Sequence, residues 1–276
     1  MAKHRSGEEG SQGGRCPADQ TLRQRLDGTD VLLGAIVLEY LRPSMAKLCA
    51  HAGFDFIFIE YEHGLFNSTD IVSFILTARN SGIPVISKIG ELNRLEVTRL
   101  LDAGATGIQL PRTESREQVA RLIDYVKYPP MGTRPSCPGL GNDDYAEVTV
   151  DRASLDAANE TTLVVAHIES AKGYENAEEI VTTPNVDMVY VGPADFAIAM
   201  GHPGDYDHPR VKEAMLEILE LCKKHGVPFG TTPSGTASAA EFVAEGCRFF
   251  ETADELAMLA QATEQLVKSY RELGRA

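Results

Sequence analysis

Acidic and imidazole side chains end one apolar run of the sequence. The stretch "FDFIFIEYEHG", residues 54–64, is apolar up to Ile59 and then carries Glu60, Glu62 and His63. Carboxylates bind hard divalent cations, and an imidazole with an unperturbed pKa of about 6.5 exchanges protons near neutral pH. A single His at the end of a strand is more often a hydrogen-bonded structural residue, so its role depends on what lies around it.

The elements that must position this stretch alternate regularly from Asp30 onward. Runs typical of buried parallel strands are each followed by a helical pattern. Eight strand–helix pairs predict a (β/α)₈ TIM barrel, and the alternative is an open doubly wound sheet. The predicted strands are "VLLGAIVLE" (31–39), "FDFIFIEYE" (54–62), "PVISKIG" (84–90), "GIQLPR" (107–112), "TLVVAHIES" (162–170), "VDMVYVG" (186–192), "VPFGTTP" (227–233) and "CRFFETA" (247–253).

Composition excludes several classes of partner. The formal net charge of −14 repels phosphate backbones and anionic lipids, so we expect neither nucleic acid nor membrane as a partner. Five scattered cysteines without a C-x-x-C pair indicate reduced thiols and a cytoplasmic location. Residues 1–20 are polar and glycine-rich, which predicts a flexible tail before a single barrel domain over residues 21–276.

One long connection interrupts the pattern. About thirty residues separate the fourth helix, which ends in "YVKYPP", from the fifth strand. Connections of this length are usually functional or contact another subunit, and the alternative is a surface excursion with a short helix.

The carboxyl ends of the barrel strands are where TIM barrels place their chemistry. Converging carboxylates repel one another unless some are protonated or a cation neutralises them, and oxygen donors suit Mg²⁺ or Mn²⁺. Each of these residues also has a purely structural explanation. Glu169 and Asp195 are acids of the kind that helix N-termini favour, and His167 on its strand is a core residue. Lys88 and Arg112 then only neutralise neighbouring acids. The polar residues at these ends are Glu60, Glu62, His63, Lys88, Gln109, Arg112, His167, Glu169, Asp195, Thr231 and Thr232.

Several motifs, in order along the chain, resemble the HpcH/HpaI class II aldolases. They are "DFIFIEYEHG", "LLDAGATGIQLPRTES", "KYPPMGTR", "HIES" and "VYVGPADFAIAMGHPGDYDHP". The resemblance implies a TIM barrel that cleaves 4-hydroxy-2-oxo acids to pyruvate and an aldehyde with a divalent metal, Mg²⁺ or Mn²⁺ with Co²⁺ as an alternative. It also implies a homo-oligomer, often a hexamer built from dimers that exchange their last helix.

The resemblance also assigns roles to residues. Glu169 and Asp195 would be the metal ligands, and Glu60 and Glu62 would hold metal-bound waters. His63 matches the general base. In two further roles, the backbone of Ala194 and Asp195 would bind the substrate carboxylate, and Asp102, from a neighbouring subunit, would raise the basicity of the catalytic histidine.

Three residues depart from the family pattern and bear on the substrate. Lys88 stands where the family usually has an Arg that stabilises the enolate, and His167 stands where a Gln contacts substrate. Glu60 stands where Asp is common. Arg112 and Lys88 could also hold a substrate carboxylate. The rival functions are an oxaloacetate decarboxylase, a CoA-thioester lyase and a non-catalytic 2-oxo acid-binding barrel.

Overall fold

The computed structural model describes residues 20–273, and these form a closed barrel of eight parallel strands in chain order. The predicted (β/α)₈ barrel is therefore confirmed, and the open sheet is excluded because β1 pairs with β8. The tail predicted for residues 1–20 falls, apart from Gln20, outside the described residues. The strands are β1 Leu32–Val37, β2 Phe56–Ile59, β3 Val85–Lys88, β4 Gly107–Leu110, β5 Leu163–Ile168, β6 Met188–Val191, β7 Phe229–Thr231 and β8 Phe249–Asp254.

Helices cover the outside of the barrel, and several occur where the sequence pattern did not predict them. A short helix, α1, precedes the first strand, and α7 with α8, and α9 with α10, divide the connections after β5 and β6. The helices are α1 Leu22–Leu26, α2 Pro43–Ala52, α3 Ser68–Asn80, α4 Arg94–Asp102, α5 Arg116–Val126, α6 Arg152–Thr161, α7 Ala171–Glu175, α8 Ala177–Val181, α9 Pro193–Ala199, α10 Pro209–His225, α11 Thr236–Ala244 and α12 Glu255–Leu273.

The long connection before β5 contains a 3₁₀ helix, Gly141–Asp143, followed by α6. The short helix considered for this segment is therefore present. Its C-terminal part is fixed to the barrel by Lys127, whose ammonium group donates to the carbonyl oxygen of Asn159 at 2.7 Å.

Inward-facing side chains change from apolar to polar along each strand. Because side chains alternate between the two faces of a strand, every second residue points into the barrel. The lower interior is apolar and is closed at the bottom by α1, through Leu22 and Leu26. Towards the mouth, the same inward faces end in polar residues: Glu60 after Phe56 and Phe58 of β2, Lys88 after Ile86 on β3, His167 after Leu163 and Val165 on β5, Tyr190 after Met188 on β6, and Glu251 after Phe249 on β8.

Two aromatic rings fill the lower interior where the barrel closes. The rings of Phe56 and Phe249 stack with centroids 4.1 Å apart. A Cβ atom at Gly34, on β1 between these strands, would come within 2.1 Å of the Phe56 ring. Glycine at this position therefore makes room for the aromatic pair, and closure of the sheet depends on it.

Candidate functional site

A buried lysine lies between two carboxylates at the mouth of the barrel. Lys88 ends β3 and is only 3% exposed, and its Nζ atom lies 3.1 Å from Glu60 Oε2 and 2.7 Å from Glu62 Oε2. Burial by itself would lower the pKa of Lys88, but the carboxylates of Glu60, Glu169 and Glu62 outweigh burial and raise that pKa above its ordinary value. Lys88 is therefore held as a cation.

Glu169 follows β5 and is buried beside the same lysine. Its Oε1 atom accepts the backbone N–H of Arg112 at 2.7 Å, and its Oε2 atom lies 3.1 Å from His167 Nε2. Burial raises the pKa of Glu169 to about 7, and the charges of Glu62 and Asp195 act in the same direction, whereas Lys88 and the Arg112 N–H oppose them. Its carboxyl group can therefore exchange a proton near neutral pH, and a second cation nearby would stabilise its charged form.

His167 belongs to the interior of the barrel. It is 4% exposed, its Nδ1 atom lies 3.2 Å from Gln109 Nε2, and the Tyr190 ring meets it edge-on at a centroid distance of 4.9 Å. Burial, together with the nearby charge of Lys88, lowers the pKa of His167 well below its ordinary value. The imidazole is therefore neutral at physiological pH.

A buried carboxyl group on β8, Glu251, was missed by reasoning from the sequence. Burial raises the pKa of Glu251 to about 8, and a hydrogen bond with Tyr190 partly offsets that rise. Its side chain shares the inward face with Phe249, two residues earlier, and this alternation within "CRFFETA" is the signal that could have found it. Glu251 places a second, largely protonated carboxyl group in the interior, near Lys88 and Glu60.

His63 lies at the rim rather than in the interior. Its side chain is 62% exposed and its Nε2 atom is 4.0 Å from Glu62 Oε2. Within residues 20–273, one group of at least three potential metal-ligand side chains has all of its ligand atoms within 4.8 Å of one another: Glu60, Glu62 and His63. The structure therefore brings these three predicted residues together.

Ala194 and Asp195 lie in the first turn of α9, directly after β6, and both are exposed. Asp195 is close enough to Glu169 for its charge to raise the pKa of that carboxyl group. No ion pair of Asp195 occurs within the described part of the chain, so its charge is not neutralised by a neighbouring side chain.

The side chain of Arg112 points away from the buried cluster. It is 64% exposed and lies 4.0 Å from Glu114, while the backbone N–H of the same residue contacts Glu169. A φ of 46° gives Arg112 a left-handed backbone conformation that is uncommon for a residue with a Cβ atom. The contribution of Arg112 to the buried cluster is therefore made by its backbone.

Asp102 lies at the opposite end of the barrel. It is the last residue of α4, whose C-terminus faces the start of β4, and its Oδ1 atom is 3.7 Å from Arg134. Burial raises the pKa of Asp102, with the charge of Arg134 opposing the change. Within one chain, the structure does not bring Asp102 to the cluster around Lys88.

The donor set at the mouth fits a divalent cation. Three carboxylates, those of Glu60, Glu62 and Glu169, interact with the single ammonium group of Lys88, and Asp195 adds a fourth. Negative charge therefore exceeds positive charge at the centre of the site, and oxygen donors of this type are the ligands that Mg²⁺ and Mn²⁺ prefer.

The sequence profile of the HpcH/HpaI aldolase/citrate lyase family matches residues 38–262. This chain belongs to that family. The match begins just after β1, covers strands β2 to β8, and includes all of the candidate site residues described above. As a member of the HpcH/HpaI family, the protein is an enzyme of the carbon–carbon lyase type.

Named relatives agree with this assignment. The chain is 32% identical over 253 residues to a hydroxypyruvate/pyruvate aldolase of Paraburkholderia phytofirmans, covering 91% of this chain and 97% of the relative. It is 28% identical to a 5-keto-4-deoxy-D-glucarate aldolase of Klebsiella pneumoniae, covering 83% and 89% of the two chains. Both relatives are aldolases, and they differ in the substrate that is named.

A crystal structure of an HpcH/HpaI aldolase from Desulfitobacterium hafniense has the same fold. It superposes with a TM-score of 0.86 at 27% sequence identity, covering 91% of this chain and 97% of the other. Among residues 20–273, helices with the length and hydropathy of a membrane span are absent.

Proposed function

We propose that this family member is a divalent-metal-dependent aldolase that cleaves, or forms, 4-hydroxy-2-oxo acids, with pyruvate or a closely related 2-oxo acid as one product. The observation that carries the proposal is the buried Lys88 ammonium group among three carboxylates at the mouth of the barrel. An aldol cleavage develops negative charge on a 2-oxo acid fragment, and fixed positive charge in a buried site stabilises such charge.

In this proposal, Glu169 and Asp195 hold the metal, and Glu60 and Glu62 hold its bound waters. The pKa of Glu169, raised to about 7, supports this choice because its charged form is favoured when a second cation binds. A bound Mg²⁺, Mn²⁺ or Co²⁺ ion supplies Lewis-acid polarisation of the 2-oxo group. The group Glu60, Glu62 and His63 is the alternative cation site.

The remaining residues bind substrate and move the proton. His63, exposed at the rim, removes the proton of the C4 hydroxyl group. The C3–C4 bond then breaks, the aldehyde leaves, and the bonding electrons remain on the enolate of the 2-oxo acid. Lys88 offsets the charge of that enolate, and the backbone N–H groups of Ala194 and Asp195 bind the substrate carboxylate.

We further propose that the active enzyme is a homo-oligomer in the cytoplasm. The last helix, α12, exposes a row of large apolar side chains, and an apolar face of this size usually packs against another chain. An arrangement of this kind would also allow Asp102 to approach the histidine of a neighbouring subunit, and a hexamer is the assembly that the family resemblance implies. The exposed apolar residues of α12 are Leu256, Leu259, Leu266, Val267, Tyr270 and Leu273.

Light scattering after size-exclusion chromatography tests the assembly. We expect the mass of a hexamer for the parent, and a smaller species for a variant carrying Leu259→Glu and Leu266→Glu. A parent chain that elutes as a monomer would contradict this part of the proposal.

The reaction is tested by measuring release of pyruvate or hydroxypyruvate from a panel of 4-hydroxy-2-oxo acids. We expect cleavage with Mg²⁺ or Mn²⁺ and loss of cleavage with EDTA. Oxaloacetate belongs in the panel because its decarboxylation passes through the same enolate. Binding of 2-oxo acids without any cleavage would support the non-catalytic rival, and cleavage restricted to CoA thioesters would support that lyase.

Two variants separate the two possible cation sites. Glu169→Gln should lose Mn²⁺ affinity, whereas His63→Ala should keep Mn²⁺ affinity and lose cleavage rate. If His63→Ala weakens Mn²⁺ binding as much as Glu169→Gln does, then Glu60, Glu62 and His63 form the metal site.

A further inference from the structure

His167 contacts two polar side chains, one at each ring nitrogen. Nδ1 lies 3.2 Å from the amide nitrogen of Gln109, and Nε2 lies 3.1 Å from Oε2 of Glu169. His167, Gln109 and Glu169 are all buried, with exposures of 4%, 0% and 3%. The three side chains form a continuous row that ends at the buried carboxyl group of Glu169.

The amide of Gln109 determines which ring nitrogen carries the proton. An amide N–H facing Nδ1 requires Nδ1 to accept, so the single proton of a neutral imidazole lies on Nε2. The proton on Nε2 is then on the ring nitrogen that lies 3.1 Å from the carboxyl group of Glu169. The side chain of Gln109 also hydrogen-bonds with Glu251.

The backbone of Gly192 covers the same ring nitrogen. A Cβ atom at Gly192 would come within 2.2 Å of His167 Nε2 and 3.3 Å of Glu169 Oε2. Between Gly192 and Glu169, Nε2 has little space for a substrate atom. The contact with Glu169 is not aligned well enough to count as a hydrogen bond, and Nε2 has no other partner among the described residues. A buried N–H donor without a partner lowers the free energy of unfolding by about 1–3 kcal/mol. A role at Glu169 would explain why the protein keeps it.

We propose that His167 is a positioning residue that orients the carboxylate of Glu169 for cation binding, with Gln109 holding the imidazole in the required tautomer. The inference rests on the proposed metal-dependent function and deepens it. The family resemblance implies a side chain that contacts substrate at this position, whereas we assign His167 a role at a metal ligand. Groups that orient metal ligands in this way typically change metal affinity by about 10–100-fold when they are removed.

Mn²⁺ binding in the absence of substrate tests the proposal, because a substrate-contacting residue would not change it. The full chain, freed of metal with EDTA and dialysed, is titrated with Mn²⁺ by calorimetry and by electron paramagnetic resonance. We expect His167→Leu to raise the Mn²⁺ Kd by about 10–100-fold. His167→Gln retains an N–H donor and should recover most of the affinity.

A second variant tests the role of the tautomer. Gln109→Leu leaves the imidazole in place but removes its Nδ1 contact, and it should raise the Mn²⁺ Kd by about 3–10-fold. Ser87→Ala is the matched control: Ser87 is buried on a neighbouring strand and its hydroxyl group donates to the carbonyl oxygen of Lys88. It should change the Mn²⁺ Kd by less than about twofold. Near-UV circular dichroism shows that each variant is folded.

Two results would overturn the proposal, and they can be distinguished. If the parent binds Mn²⁺ and cleaves substrate but His167→Leu and Gln109→Leu bind Mn²⁺ normally, with only the KM for the 2-oxo acid raised, His167 contacts substrate instead. If the parent itself binds no Mn²⁺, the proposed metal-dependent function fails, and the role of His167 at a metal ligand fails with it.

Discussion

Two buried lysines of this protein differ in what surrounds them. Lys127 is 2% exposed, and its ammonium group donates to the carbonyl oxygens of Asn159 and Thr162 and to the carboxylate of Asp187. Burial lowers the pKa of Lys127, and Asp187 opposes that change. Lys88 is buried to a similar degree, but carboxylates surround it and raise its pKa.

The difference separates a structural lysine from the one that we propose to be functional. The donors of Lys127 are all used within the protein, and one acid balances its charge, so it fixes the connection before β5 to the barrel. The acids around Lys88 exceed what one ammonium group can neutralise, and Glu60 and Glu62 remain partly exposed at the mouth. A site with unbalanced charge that opens to solvent can bind another charged group; a balanced and enclosed site cannot.

The largest expected effect comes from removing Lys88, the lysine at the mouth of the barrel. Lys88→Met should lower the cleavage rate by about 10²–10³-fold, because positive charge next to the developing enolate is lost. Lys88→Arg, which keeps the charge, should lose about tenfold or less. Steady-state kinetics on the best substrate of the panel provide the measurement. Equal rates for Lys88→Met and the parent would remove Lys88 from the mechanism.

Removing Lys127, the structural lysine, should lower stability and leave the reaction rate almost unchanged. Lys127→Met should lower the free energy of unfolding by about 3 kcal/mol, because buried acceptors lose their donor. Its kcat per folded molecule should stay within about twofold of the parent. Urea denaturation and active-site titration provide the two measurements.

An exposed lysine gives the matched control for that variant. Lys224 is 61% exposed and pairs with Glu178 at 3.3 Å. Lys224→Met should change the free energy of unfolding by less than about 0.5 kcal/mol. A loss as large as that of Lys127→Met would show that burial is not the cause.

The acids around Lys88 should make stability depend on pH. The pKa values of Glu169 and Glu251, about 7 and about 8, lie above the unfolded value near 4.5. Between these values the folded state binds more protons than the unfolded state, so stability falls as pH rises. In EDTA, the parent should lose about 4 kcal/mol between pH 5 and pH 8.5 relative to Glu251→Gln. Urea denaturation across this pH range provides the measurement, and parallel pH curves for the two proteins would contradict the assignment.

The smallest effect concerns the backbone that supports Glu169. Arg112 adopts a φ of 46° while its N–H donates to Glu169, and its side chain is mostly exposed. Arg112→Gly should therefore raise the free energy of unfolding by about 0.5–1 kcal/mol and keep Mn²⁺ affinity. Thermal denaturation and Mn²⁺ titration provide the measurements. If KM for the 2-oxo acid rises in this variant, the side chain binds the substrate carboxylate as the sequence predicts.

The barrel and the composition of its mouth could be predicted from the sequence. Strand and helix periodicities are local properties, so eight alternating units could be recognised without coordinates. The polar strand ends and the "HIES" and "GPAD" motifs were sufficient to predict an aldolase family and most of the residues of the candidate site. Glycine also follows five helices in the sequence, and the backbone at Gly53, Gly82, Gly104, Gly226 and Gly246 has the positive φ that the end of a helix favours.

Which of those residues meet depends on how the strands are arranged in the folded barrel. The register and closure of the barrel determine which inward-facing residues lie at the same height, and neither is encoded in one strand alone. This is why Glu251, on the strand that completes the barrel, was missed, and why the backbone N–H of Arg112, rather than its side chain, contacts Glu169. The remote position of Asp102, by contrast, follows from the sequence: a helix returns the chain from the mouth to the bottom of the barrel, so its last residue is remote from the preceding strand end.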